Sequence, residues 1–164
     1  MVARDTDTFT CLEGRPDGMG FVGTDVWNEL PSDRKQMFPF LKIADLPVRL
    51  AFLTTEEKAG PFRRKLARAE PLLIATTYPV GAKVAINGLG QQVAGRCVPV
   101  ETFDINGSIE GAPATFPQVD AVYDIVESGR TAEENGLEIV YDDLAPVTLG
   151  AVALKERPRA GRGN

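Results

Sequence analysis

Residues 120–137 read DAVYDIVESGRTAEENGL, and this stretch constrains the fold most because it runs from strand through polar turn to short helix without interruption. Ile125 and Val126 carry an apolar strand into the turn, Gly129 permits a positive φ and close backbone approach, and Gly136 is a natural helix stop. Such a unit belongs to an α/β fold. The turn also reads as an anion site. Ser128 and Thr131 supply hydroxyls, and the amides that open a helix lack partners within it and favour negative charge. Asp124 and Glu127 set carboxylates beside that anion, which suits a phosphorylated sugar with its hydroxyls and Mg²⁺ better than a bare phosphate. Ser-Gly-x-Thr after a strand is equally an ordinary turn with a capping threonine, and both readings stand at this point.

The rest of the chain repeats the alternation. Residues 19–22 predict a strand closing at Gly23, with Thr24 and Asp25 placed to cap a helix holding Val26, Trp27 and Leu30. Pro31, Ser32 and Asp33 break that helix, and residues 37–46 read as a connection with a short extended piece. Residues 49–54 (RLAFLT) predict a strand, and 56–70 a charged helix with Pro61 inside it. The helix's basic run Arg63, Arg64, Lys65 and Arg68 is most simply a solvated face. A strand at 72–75 turns out through Thr76, Thr77, Tyr78 and Pro79, and 81–95 has helical spacing despite Gly88 and Gly90. Residues 96–103 predict a strand that Pro99 assigns to a sheet edge, and a single helical turn begins at Pro113. Strands at 121–126, 137–141 and 148–154 complete a largely parallel sheet, with a helix at 131–135. In such sheets ligands sit beyond the carboxyl ends of strands, where the turns at Thr24, Thr76, Ser108 and Ser128 fall.

Composition removes whole classes of function. The 164 residues contain no histidine, which excludes imidazole acid–base work, Ser-His-Asp or Cys-His nucleophiles, and histidine-ligated metals. Any chemistry runs on carboxylates, hydroxyls, amides, Arg, Lys and a borrowed metal ion. A formal charge of −5 argues against a nucleic-acid surface, the one basic cluster outside the 56–70 helix being the tail Lys155, Arg157, Arg159 and Arg162. Cys11 and Cys97 form no Cys-x-x-Cys pair, no apolar run is long enough to span a membrane, and Met1 leads into polar ARDTDT. A reduced, cytoplasmic setting is expected.

Four segments in order resemble the catalytic subunit of the ATP phosphoribosyltransferase family, which opens histidine biosynthesis. GFVGTDV at 20–26 is similar to its Gly-hydrophobic-Val-Gly-x-Asp segment, IATTYP at 74–79 to its Ala-Thr-x-Tyr-Pro turn, and INGSIE at 105–110 to its Asn-Gly-Ser-hydrophobic-Glu segment. Residues 120–137 are similar to its signature loop, and the resemblance covers roughly 17–154. It implies a two-lobed architecture like periplasmic binding proteins, with one lobe complete and the other partial. Residues 1–46 would form part of the first lobe, 47–137 the second lobe with the phosphoribosyl loop, and 138–164 the return strands and basic tail. The family's usual opening strand with its Lys-Gly-Arg turn has no counterpart in these residues. The 110–120 spacing is one residue longer than the signature, Thr77 stands where a charged residue is common, and Ala132 replaces a larger apolar residue.

The implied reaction is transfer of a phosphoribosyl group from phosphoribosyl pyrophosphate to N1 of ATP, releasing pyrophosphate with Mg²⁺ present. Carried onto this chain, Ser128, Gly129, Arg130 and Thr131 would cradle the 5-phosphate. Asp124 and Glu127 would be the catalytic carboxylates facing the ribose hydroxyls, either of them reaching the Mg²⁺. Thr24, Asp25, Thr76, Tyr78, Ser108 and Glu110 are the remaining cleft candidates. Kinship also implies homo-oligomers and a complementing or regulatory chain. Two other readings remain: a non-catalytic phosphoribosyl- or nucleotide-binding or regulatory module derived from the family, and an α/β lobe whose capped turns hold no ligand.

Overall fold

The computed structural model describes residues 7–103 and 112–155. They fall into two compact units, one of residues 1–45 with 148–164 and the other of residues 46–147. The chain passes between them within two long strands, β2 (Phe40–Thr55) and β6 (Leu137–Ala153).

In the smaller unit, α1 (Asp7–Gly14) lies on β1 (Met19–Gly23), which pairs antiparallel with the end of β6 from Leu149 to Ala153. Thr8, Phe9 and Leu12 recur on one face of α1 and are buried. The Phe9 and Phe38 rings meet edge to face at 5.2 Å. Gly150 is required by packing: a Cβ there would lie 2.2 Å from the Phe40 ring. Two short helices, α2 (Thr24–Asn28) and α3 (Ser32–Met37), complete the unit. The expected cap on α2 differs from what is found. Gly23 is its N-cap, with no side-chain cap bond, and the Thr24 hydroxyl instead accepts from the Thr148 backbone N–H at 2.9 Å. The break expected at Pro31, Ser32 and Asp33 is found, since α2 ends at Asn28, and a second helix, α3, opens there with Pro31 as its N-cap.

In the larger unit the strand order is β6-β2-β5-β3-β4, with β3 (Leu72–Thr76), β4 (Val100–Phe103) and β5 (Ala121–Val126). Residues 50–54 of β2 are buried on both faces, as the continuous apolar run LAFLT requires of an inner strand. Leu50 and Phe52 face α4 (Glu56–Arg68) and α5 (Pro79–Ala94) in a core with Phe62, Leu66, Ile74, Ile86 and Tyr123. Ala51 and Leu53 face the other way, onto Val119, Val122, Val126, Ala132 and Leu137, beside the short helices α6 (Ala112–Thr115) and α7 (Arg130–Glu134).

The sheet is mixed rather than largely parallel. β3 runs parallel to β4 and β5, whereas β2 is antiparallel to β5. Alternation of strands and helices in sequence does not dictate direction when a strand pairs with one more than 60 residues away, as Thr54 and Asp120 illustrate. The expected connection at 37–46 is largely the first part of β2, and the two strands expected at 137–141 and 148–154 are one strand that continues through Pro146. β4 begins only at Val100, because Pro99 has no N–H to give; its carbonyl accepts from Leu72 N–H at 3.0 Å.

The basic run on α4 is not wholly a solvated face. Lys65 Nζ lies 2.7 Å from Asp120 Oδ1, while Asp120 Oδ2 accepts from Leu73 N–H at 2.9 Å. Thr54 donates to the Asp120 carbonyl at 2.7 Å, so one aspartate joins α4, β2 and β3 just before β5. Two turns upstream, Lys58 Nζ is shared among the carbonyls of Pro113, Phe116, Pro117 and Val119 at 2.6–3.2 Å. Burial lowers the Lys58 pKa from its ordinary value of 10.5, opposed by the nearby charge of Asp120.

Candidate phosphoribosyl site at the end of β5

β3 and β5 are parallel neighbours with Thr76 opposite Tyr123, so β5 continues three residues past the end of β3. β2 supports that overhang from the other side: Ala51, Leu50 and Arg49 lie opposite Asp124, Ile125 and Val126. The chain then leaves the sheet through residues 127–129 and enters α7. Gly129 has φ +82°, the left-handed region that a side chain resists. Ser128 Oγ accepts from Arg130 N–H at 3.3 Å and closes the turn.

This turn encloses a recess of about 90 Å³ walled by Leu53, Ile125, Val126, Glu127, Ser128, Gly129, Thr131 and Ala132. Pockets that enclose a whole small molecule run to roughly 300–1,000 Å³, so this one holds a single group of a ligand. Its lining combines four apolar residues with Ser128 and Thr131, which carry hydroxyls, with Glu127, which carries a carboxylate, and with Gly129, a composition that can hold a polar group such as a phosphate.

The expected site residues thus divide. Glu127, Ser128, Gly129 and Thr131 share one wall. Asp124 lies between Val122 and Val126 on the same sheet face by strand alternation, outside that wall, and its Oδ1 accepts from Ile125 N–H at 2.8 Å. Arg130 is also outside it; its guanidinium pairs with Glu134 at 2.8 Å in the next turn of the helix. Thr76 is 1% exposed, donates to the Tyr123 carbonyl at 2.7 Å and accepts from Tyr78 N–H at 2.9 Å, so its hydroxyl shapes the turn at the end of β3. Tyr78 precedes α5 and packs partly on the core. Thr24 and Asp25 belong to the smaller unit, where Asp25 is 6% exposed. Ser108 and Glu110 lie outside the described residues.

For a magnesium ion the donor chemistry fits. Mg²⁺ takes one or two protein carboxylates and fills its octahedron with phosphate oxygens and water, and Asp124 and Glu127 supply that number. Among the described residues no group of three or more Asp, Glu or Cys side chains gathers as a metal cage. One residue at the site was not legible as such: Arg49, which bonds to the Glu127 carbonyl. The available signal was a lone arginine in an otherwise apolar inner strand, RLAFLT.

The chain is similar to known proteins along nearly its whole length. The HisG family, described as ATP phosphoribosyltransferase, matches residues 4–159. An ATP phosphoribosyltransferase from Lactiplantibacillus plantarum is 33% identical over 98% of this chain and 67% of its own length. Among solved structures, the ATP phosphoribosyl transferase (HisG:HisZ) complex from Thermotoga maritima aligns with a TM-score of 0.66 at 24% identity, over 94% of this chain and 67% of that one. An ancestral cationic amino acid solute-binding protein aligns at 0.50 and 12% identity, over 97% and 65%. The fold is therefore α/β of the periplasmic-binding-protein-like kind. The chain spans about two thirds of the length of these relatives. A match over nearly all of its residues and a relative one third identical establish that the chain belongs to the ATP phosphoribosyltransferase family.

Proposed function

We propose that the chain binds phosphoribosyl pyrophosphate through residues 127–131 and takes part in transferring its phosphoribosyl group to N1 of ATP, the first step of histidine biosynthesis. The observation that carries the reading is the recess at the end of β5, with Glu127, Ser128, Gly129 and Thr131 in one wall. In this reading Ser128 and Thr131 donate hydroxyl hydrogen bonds to the 5-phosphate, and Gly129 lets the backbone approach it without a Cβ between. Asp124 and Glu127 accept from the ribose hydroxyls and hold negative charge near the anomeric carbon, which turns cationic as pyrophosphate leaves. Magnesium, held through Asp124 or Glu127 and the diphosphate, would neutralise the leaving group. Positioning and electrostatics suffice for this displacement, and a chain with no histidine can provide both.

We further propose a cytoplasmic setting and an assembly. No helix among the described residues is long and apolar enough to cross a membrane. In the smaller unit Met19, Phe21, Leu41 and Ile43 are 51–70% exposed, apolar surface that association of copies would cover. The Thermotoga maritima relative was solved together with HisZ, which supports a second, complementing chain.

The other reading, a binding or regulatory module without turnover, is favoured by one observation: Asp124, one of the two expected catalytic carboxylates, lies outside the recess lining, with its Oδ1 accepting from Ile125 N–H. Pyrophosphate release separates the two. The enzyme releases it from phosphoribosyl pyrophosphate only when ATP is also present, and loses that activity by about 100-fold or more in Asp124→Asn. Tight binding with no release, with or without ATP, would leave the module as the better account.

A further inference from the structure

Arg49 sits on the strand between β6 and β5, opposite Val126, and its side chain reaches in both directions. One guanidinium nitrogen donates to the Glu127 carbonyl at 3.0 Å, and Nε lies 3.2 Å from Asp142 Oδ1 on β6. Both side chains of the ion pair are about one third exposed, so the pair lies at the sheet surface.

The consequence follows from peptide geometry. In a trans peptide the C=O of one residue and the N–H of the next point in opposite directions, and rotation about the bond between them is blocked. A Glu127 carbonyl fixed toward Arg49 therefore turns the Ser128 N–H away from it. Glu127 and Ser128, the two residues of this peptide, both line the recess together with Gly129, so the orientation of the peptide shapes that lining. We propose that Arg49, held by Asp142, is a positioning residue for the phosphoribosyl loop: it sets the orientation of the 127–128 peptide and with it the anion-binding shape of the recess. The inference rests on the reading of that loop as a phosphate site. Lysine is not equivalent, because its ammonium is one compact point on a flexible stem, whereas the guanidinium holds separate N–H groups in a fixed plane, one toward Asp142 and another toward the Glu127 carbonyl.

Calorimetric titration of the whole chain with ribose 5-phosphate and, separately, phosphoribosyl pyrophosphate tests this, with thermal melting of each protein alongside. Arg49→Lys should weaken both ligands by about tenfold, and by the same factor, because the loop holds the 5-phosphate common to both. Asp142→Asn keeps the bond to Glu127 but loosens the guanidinium, and should weaken both by a smaller common factor. It also decides the matter if Arg49→Lys fails to fold. Unchanged affinities in variants that melt earlier would reduce Arg49 to a structural role and overturn the inference. A loss confined to phosphoribosyl pyrophosphate would overturn it too, since the charge of Arg49 would then act on the diphosphate. If the unaltered chain binds neither ligand, the phosphate reading fails and the inference falls with it.

Discussion

Ala69 ends α4 with φ +52°, the one described non-glycine residue in left-handed backbone, where an L side chain costs about 1–2 kcal/mol. The turn needs that conformation, since Ala69 and Glu70 N–H groups bond back to the Leu66 and Lys65 carbonyls. Ala69→Gly should therefore stabilise the fold by about 1 kcal/mol, read as a melting temperature about 2–4 °C higher. Asp45 carries a pH signature. A hydrogen bond from Lys42 and another from Thr148 lower its pKa from 3.8. Its folded value lies below its unfolded one, so the stabilisation is full above pH 3.8 and is lost as pH falls through the lower folded value. NMR titration of the Asp45 carboxyl should give a midpoint below 3.8 that moves up in Lys42→Ala; a midpoint at or above 3.8 in the unaltered chain would contradict the geometry.

Elements show what local sequence can and cannot specify. The unit from β5 through the loop to α7 was legible because its determinants are consecutive. Strand Ala121–Val126 was read without error, and the helix begins one residue earlier than read, at Arg130. The long strands were not legible, because their determinants are distant. Residues 40–45 of β2 look like a connection until Phe40 is placed over Gly150, and β6 looks divided by Pro146, though it runs unbroken from Leu137 to Ala153. Lys65 reads as solvated unless Asp120 is known to lie 2.7 Å away. The tie at Asp120 gives a test at this scale. Asp120→Ala removes the partners of Lys65 and Leu73 N–H together, and should cost about 2–3 kcal/mol in a urea titration. Thr76→Val, nearly the same shape, removes the hydroxyl's bonds to the Tyr123 carbonyl and the Tyr78 N–H and should cost about 1–3 kcal/mol.

For the whole molecule, family membership and fold are secure, while the chemistry turns on what residues 127–131 hold. A loop of this kind was readable in one contiguous stretch. Its support was not, since Arg49 and Asp142 come from two other strands and meet only in the folded sheet. The same account predicts association. Sedimentation of the chain over a range of concentrations should show species larger than one copy, because four large apolar side chains of the smaller unit stand exposed. A monomer at every concentration would remove that part of the proposal. The most direct measurement is amide NMR of the labelled chain titrated with phosphoribosyl pyrophosphate. Saturable shifts centred on Ser128, Gly129, Arg130 and Thr131, weakened in Thr131→Val, are the predicted result. Saturable binding that leaves those four amides unmoved, or no binding at all, would contradict the account.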